Sequence, residues 1–208
     1  MPRIFDLLVL FVLLPMVLPV ALIVAFLIWI FLGRPIFFYQ IRCGYKGTPF
    51  KLYKFRTMTN TTDELGAPLP DAQRLTRLGK FLRAASLDEL PSLVNLVRGD
   101  LRLVGPRPFI DSYLPLYSPE QMRRHDAWPG ITGWAQVMGR NTLTWEEKFV
   151  LDVWYVDNRS TWLDLRILFL TVLKVLTQEG VNATKHETMP YFTGTSASKK
   201  PEYPEDAK

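Results

Sequence analysis

The apolar and polar positions of the chain change period three times. From Leu7 to Leu32 (LLVLFVLLPMVLPVALIVAFLIWIFL) the run is apolar and carries no charge. About 20 such residues suffice to cross a bilayer. The stretch PIFFYQIRCGYKGTPFKLYKFRTM then alternates and breaks at Gly44 and Gly47. It predicts strands or extended segments around Phe37–Arg42 and Phe50–Met58. In the second, Phe50, Leu52, Lys54 and Arg56 share one face. Two cations on one strand face suit an anion, although a charged edge strand reads the same way. Thr59 to Gln73 is a polar loop.

From Arg74 onward the period is mostly helical. Arg74–Ala84 (RLTRLGKFLRA) is basic and amphipathic, a short helix placed near a membrane surface, weakened by Gly79. Ser86-Leu87-Asp88-Glu89 fits a capping box that opens a helix ending at Gly99-Asp100, although Pro91 sits awkwardly inside it. Leu101–Val104 reads as a short strand. Ser118-Pro119-Glu120-Gln121 is a second capping box with proline at the first helical position, and its helix ends near Asp126. Thr144-Trp145-Glu146-Glu147 is a third, opening a helix to about Asp157 that carries Asp152. Thr161–Gln178 is a strongly apolar helix with Asp164, Thr171 and Lys174 on one side. It is too short and too charged to span a bilayer, so it lies at an interface or in the core. Between these helices, WPGITGWAQVMGRN has three glycines and two tryptophans and reads as a loop-and-turn binding wall.

The elements predict an α+β fold, mainly helical, with a few short strands. Residues 1–34 form a membrane anchor, 35–185 a compact domain with interfacial amphipathic helices, and 186–208 a polar tail.

Two features bear on the anchor. Pro15 and Pro19 fall near its middle, and each removes a donor and kinks a helix. Both flanks are basic. Arg3 precedes it, Arg34, Arg42, Lys46, Lys51, Lys54 and Arg56 follow, and Asp6 is the only acid in the first sixty residues. Basic flanks favour the cytoplasmic side. A kinked re-entrant hairpin keeps both ends there, and a single span leaves only Arg3 outside. Gly33-Arg34-Pro35 offers no small-residue cleavage site for a signal peptide.

Composition narrows the chemistry. The chain has 208 residues and a formal charge of +5, compatible with a nucleic acid, a membrane surface or a phosphorylated substrate. Cys43 is the one cysteine and there are two histidines. That excludes an internal disulfide and disfavours a zinc cluster, leaving a hard, oxygen-bound ion such as magnesium as the metal to expect. His125 and His186 are expected at the surface, and Cys43 is expected to be inert. The charge surrounds a membrane anchor and no nucleic-acid module is present, so nucleic acid is disfavoured. The acid pair Asp88-Glu89 and Arg107, stiffened between Pro106 and Pro108, are the candidates for phosphate chemistry. A carboxylate is a competent covalent nucleophile for phosphoryl groups.

"YKFRTM", "LRAASLDELPSLVNLVRGDLRLVGPRP" and "WPGITGWAQVMGRN" followed by "FVLDVWYV" together resemble the bacterial sugar transferase family, the small monotopic phosphoglycosyl transferases. The likeness runs from Arg3 to about Gly194. It implies transfer of a sugar-1-phosphate from a UDP-sugar to polyprenol (undecaprenyl) phosphate, releasing UMP through an aspartyl-phosphosugar intermediate with Mg2+. This is the first membrane step of bacterial glycoconjugate assembly. It implies Asp88 as nucleophile and Glu89 as its acidic partner, both candidate metal ligands. Arg107 corresponds to a phosphate-binding arginine, and Lys54, Arg140 and Asp152 to other polar positions of the site. Arg56 and Gln136 are further candidates, Gln136 for the nucleotide or for bracing its loop. The likeness also implies a monotopic protein in the bacterial inner membrane with its site on the cytoplasmic face. Its re-entrant helix breaks at a Ser-Pro pair, which here reads Leu18-Pro19. Small members suggest an N-acetylated hexosamine or bacillosamine-type sugar. The competing readings are a glycosyltransferase that releases UDP and a non-enzymatic scaffold that binds anionic lipid.

Overall fold

The computed structural model describes residues 1–139, 142–177 and 191–194, and of Leu176 the backbone only. It is mainly helical. Eight α-helices are described: α1 (Arg3–Leu32), α2 (Asp71–Arg74), α3 (Arg77–Ala84), α4 (Leu93–Arg98), α5 (Pro119–Met122), α6 (Trp134–Met138), α7 (Trp145–Asn158) and α8 (Thr161–Thr177). The strands form two pairs. β1 (Phe37–Cys43) runs antiparallel to β2 (Pro49–Phe55), with Phe37 opposite Phe55 and Cys43 opposite Pro49. β3 (Arg102–Val104) runs parallel to β4 (Gly130–Thr132).

α1 is helical through Pro15 and Pro19 and is long and apolar enough, by length and composition, to cross a membrane. Its two ends touch the same body. Near the start, Arg3 Nη2 donates to the Val97 carbonyl at 3.0 Å, Asp6 pairs with Arg102 at 3.0 Å, and Leu10 joins the core. Near the end, Val24 and Ile28 pack with Phe55 and Leu82, and Arg56 donates to the carbonyls of Leu32 and Gly33. Between them Phe11 to Pro19 is exposed apart from half-buried Val17. A straight helix of 30 residues would be about 45 Å long.

The main core joins α4, α6, α7 and α8 through Leu96, Trp134, Leu151 and Ile167. The stretch Trp128–Asn141 is therefore not merely a loop-and-turn wall. It contributes β4 and α6, and Trp134 is 1% exposed. β4 fits because Gly130 and Gly105 cross at close range. A Cβ on Gly105 would lie 2.1 Å from the Trp128 carbonyl. An aromatic cluster of Phe109, Tyr113, Phe149 and Phe192 closes the far side. Phe192 belongs to the segment expected as a polar tail, yet it is buried.

The capping boxes at Ser118–Gln121 and Thr144–Glu147 are both formed. The one expected at Ser86 is not. Ser86 has a left-handed backbone (φ 56) and its side chain caps nothing. An N-cap needs an extended backbone. The chain instead turns into a 3-10 helix, Leu87–Ser92, that accommodates Pro91. His125, expected at the surface, is buried with Nδ1 3.0 Å from the Gly44 carbonyl oxygen, because its ring stacks on Tyr117. His186 lies outside the described residues.

Candidate active site

The left-handed turn at Ser86 carries the chain from α3 towards β2 and presents Glu89 to a cleft, with the buried Asp88 beside it. Arg42, Lys54, Glu89, Ser92, Arg107 and Pro108 line it. Glu89 is its hub. Lys54 Nζ donates to Glu89 Oε1 at 2.7 Å, and Arg107 Nη2 donates to the same oxygen at 2.6 Å. Two ion-paired hydrogen bonds, from Lys54 and Arg107, outweigh the single backbone cap bond that sequence assigned to this side chain. Burial alone would raise the Glu89 pKa, but Arg107, Lys54 and their hydrogen bonds more than reverse it. The carboxyl is held well below the usual range. Arg107 is raised in turn, chiefly by Glu89.

Asp88 is handled differently. It is 8% exposed, and among the described residues its carboxylate accepts no hydrogen bond. Burial and then Glu89 raise its pKa, opposed by Lys54, Arg83 and Arg107. The two adjacent carboxylates thus sit in different surroundings. Glu89 neutralises the cations, and Asp88 keeps its lone pairs unengaged at the edge of the same positive field. This is the state a carboxylate nucleophile needs.

The sequence profile of bacterial sugar transferases matches residues 1–178. The chain belongs to the bacterial sugar transferase family. As a member it is a transferase. The sugar transferase EpsL of Bacillus subtilis is 58% identical over 164 residues, covering 79% of this chain and 81% of that protein. The UDP-glucose:undecaprenyl-phosphate glucose-1-phosphate transferase of Caulobacter vibrioides is 42% identical over 173 residues, 77% of this chain and 64% of that protein. The UDP-N-acetylgalactosamine-undecaprenyl-phosphate N-acetylgalactosaminephosphotransferase of Aeromonas hydrophila is 36% identical over 187 residues, 84% of this chain and 43% of that protein. The chain thus spans most of EpsL and under half of the Aeromonas protein.

In this sugar transferase, Lys54, Asp88, Glu89 and Arg107 come together as the sequence suggested. Arg56 does not join them. It sits just past β2, buried, with its guanidinium on the last carbonyls of α1. Asp152 is also set back. It is 1% exposed and its Oδ2 accepts from Arg124 Nη2 at 2.6 Å. Burial raises its pKa and Arg124 opposes the rise. Gln136 donates to the Ile131 carbonyl at 3.2 Å, a brace between α6 and β4. Arg140 lies outside the described residues.

Three residues of the transferase escaped sequence reasoning. Arg42 reaches the cleft from β1, its Nη2 held by Gln40 Oε1 at 2.6 Å. Burial and the nearby Arg107 lower its pKa to about 10. Its spacing from Gln40 on one strand face was the available signal. Asn95, fully buried, ties α4 to β2. Its signal was an amide in the apolar stretch LVNLV. Arg124 gave none.

The donor set also bears on a metal. Among the described residues no group of three or more His, Cys, Asp or Glu side chains could hold an ion. Both ion pairs of Glu89 fall on Oε1, which leaves Oε2 and the Asp88 carboxylate. Two adjacent carboxylates fit magnesium, which keeps several waters and leans on substrate phosphates.

Proposed function

We propose that this transferase moves a sugar-1-phosphate from a UDP-sugar to a polyprenol phosphate and releases UMP, through a covalent intermediate on Asp88. The observation that carries it is the contrast within the acid pair: Glu89 is engaged by Lys54 and Arg107, and the buried Asp88 carboxylate accepts no hydrogen bond among the described residues. The relatives' names supply the substrates, since both include a UDP-sugar and undecaprenyl phosphate.

Asp88 attacks the sugar-bearing phosphorus. An Asp88 O–P bond forms, the bond from that phosphorus to the bridging oxygen breaks, and UMP leaves with the oxygen. The sugar keeps its own C–O bond. A phosphate oxygen of the polyprenol then attacks the same phosphorus and returns the carboxylate of Asp88. Lys54, Arg42 and Arg107 neutralise charge on the phosphates as it shifts. Asp88 and Glu89 would hold Mg2+, which when bound adds positive charge against the diphosphate.

The membrane arrangement belongs to the same reading. Both ends of α1 rest on one body and the apolar Phe11–Pro19 stretch stands clear of it. We read α1 as a re-entrant element that enters and leaves by the cytoplasmic face of the inner membrane. The site then meets a soluble nucleotide sugar and a lipid phosphate together.

The test is nucleotide release by purified protein with magnesium, polyprenol phosphate and a panel of UDP-sugars, against Asp88→Asn. UMP with lipid-linked sugar phosphate, from wild type alone, is the expected result. UDP as product would overturn the reaction in favour of sugar transfer without its phosphate.

A further inference from the structure

The Gly105-Pro106-Arg107-Pro108 turn is poor in amide donors, because neither proline has an N–H. Apart from the Gly105 amide, which donates to Thr132 O at 2.9 Å, it is held through its carbonyls. The Gly130 amide donates to Pro106 O at 3.0 Å and the Cys43 amide to Phe109 O at 2.9 Å. Arg42 Nη1 donates to Pro108 O at 3.2 Å, and Arg124 Nη2 to Arg107 O at 2.6 Å. The Arg124 bond thus falls on the residue whose side chain grips Glu89. The Arg124 guanidinium also lies 4.0 Å from the centroid of the Phe109 ring, so it holds the turn at two residues.

Arg124 is itself fixed. Its Nε and Nη2 donate to Asp152 Oδ2 at 3.1 and 2.6 Å. The two side chains are 1% and 2% exposed. Such a pair is a poor device for stability alone, since apolar residues of the same volume often do as well or better. A planar guanidinium offers something an apolar residue lacks, which is several directed donors in one rigid plane. Here they reach a carboxylate and a turn carbonyl at once.

We propose that Arg124, set by Asp152, is a positioning residue that fixes the Arg107 backbone and so aims the Arg107 guanidinium at the phosphates of the donor. Asp152 then acts at two removes, through Arg124 and Arg107, and touches no ligand. The identity of the ligand as a diphosphate rests on the proposed function.

A double-mutant cycle tests it with inorganic pyrophosphate as the probe, titrated by calorimetry into the full chain in lipid nanodiscs. Arg124→Lys keeps a charge for Asp152 but loses the fork. It is expected to weaken pyrophosphate binding roughly tenfold, and less than about twofold once Arg107→Ala has removed what it aims. Thermal melts establish that each variant is folded. Asp152→Asn should follow the same pattern and replaces Arg124→Lys if that variant does not fold. Equal losses in both backgrounds would mean a general structural role and would sink the proposal. Wild-type affinity in Arg124→Lys, or no pyrophosphate binding by the wild type, would do the same. Release of UDP, or of no nucleotide, would overturn the reaction and leave this cycle to be decided by pyrophosphate alone.

Discussion

Replacing Asn95 tests how the site is held to its strand. One edge of β2 pairs with β1, and on the other the Asn95 amide stands in for a strand. Its Nδ2 donates to Lys51 O at 2.7 Å and to Asp100 Oδ2 at 2.9 Å, and its Oδ1 accepts from the Tyr53 amide at 3.2 Å. Lys54 is the next residue along. Asn95→Ala leaves a strand carbonyl and a strand amide without partners against a fully buried position. Each costs about 1–3 kcal/mol, so the loss is about 4 kcal/mol with the missing packing included. For a chain of this size, about 2–4 °C of Tm per kcal/mol gives a fall of about 8–16 °C. Asn95→Asp is the sharper variant. It has nearly the same volume and keeps the acceptor for Tyr53, but it loses both donors and faces the Asp100 carboxylate. It should fall almost as far as alanine. Tryptophan-fluorescence melts in detergent micelles read both. An Asn95→Asp melt within about 2 °C of wild type would refute the account, because packing would then explain everything that the hydrogen bonds are said to do.

Other substitutions separate packing from propensity and charge. Gly79→Ala should lower the melting temperature although alanine favours helices by about 1 kcal/mol, because the new Cβ would lie 2.0 Å from the Thr57 carbonyl oxygen in α3's path; a rise would show that α3 moves freely. Phe192→Ala removes a buried ring from the Tyr113, Tyr117, Trp145 and Phe149 cluster and should cost about 3–5 kcal/mol; an unchanged melt would show that Tyr191–Gly194 is not part of the body. His125 is held neutral, since burial and then Arg124 lower its pKa from 6.5 to about 4. The unfolded chain therefore binds the extra proton first, and stability is lost as pH falls from about 6.5 towards about 4, by on the order of 3 kcal/mol in all. Melts of His125→Gln at about pH 7 and about pH 5 should differ less than those of wild type; an equal drop would assign the acid sensitivity elsewhere.

The parts of the molecule legible in sequence are those set by local chemistry. Period predicted the helical run of α1, the two strands β1 and β2, α7 and α8, while α1 stays helical through the two prolines expected to kink it. The box at Ser118 formed because Pro119 already holds the first helical residue, and the one at Thr144 because Glu147 Oε2 accepts from both the amide and the hydroxyl of Thr144. At Ser86 the same motif misled. Glu89 has two cations waiting from β2 and the proline turn, and their attraction is invisible to a local pattern. The same limit explains Arg56, which alternation placed beside Lys54 but which α1's unpaired carbonyls captured. Asn95 and Arg124 act on backbone groups from distant segments, so the apolar stretch around Asn95 marks it as buried but does not name its partners, and nothing beside Arg124 announces it. Trp134 was read as a wall residue because its glycines suggested a loop. Those glycines permit close crossing of β3 and β4, which buries the segment.

Glu89 gives the cleft a resident counter-ion. An anion that enters exchanges with a carboxylate already seated on Lys54 and Arg107, so its affinity is a difference between two similar attractions. Small anions gain little by that trade, and a departing product leaves no bare cation pair behind, since Glu89 returns to its place. The cleft then behaves as an ion exchanger rather than an ion trap, tuned for turnover, and its binding should depend less steeply on salt than the cations lining it would suggest.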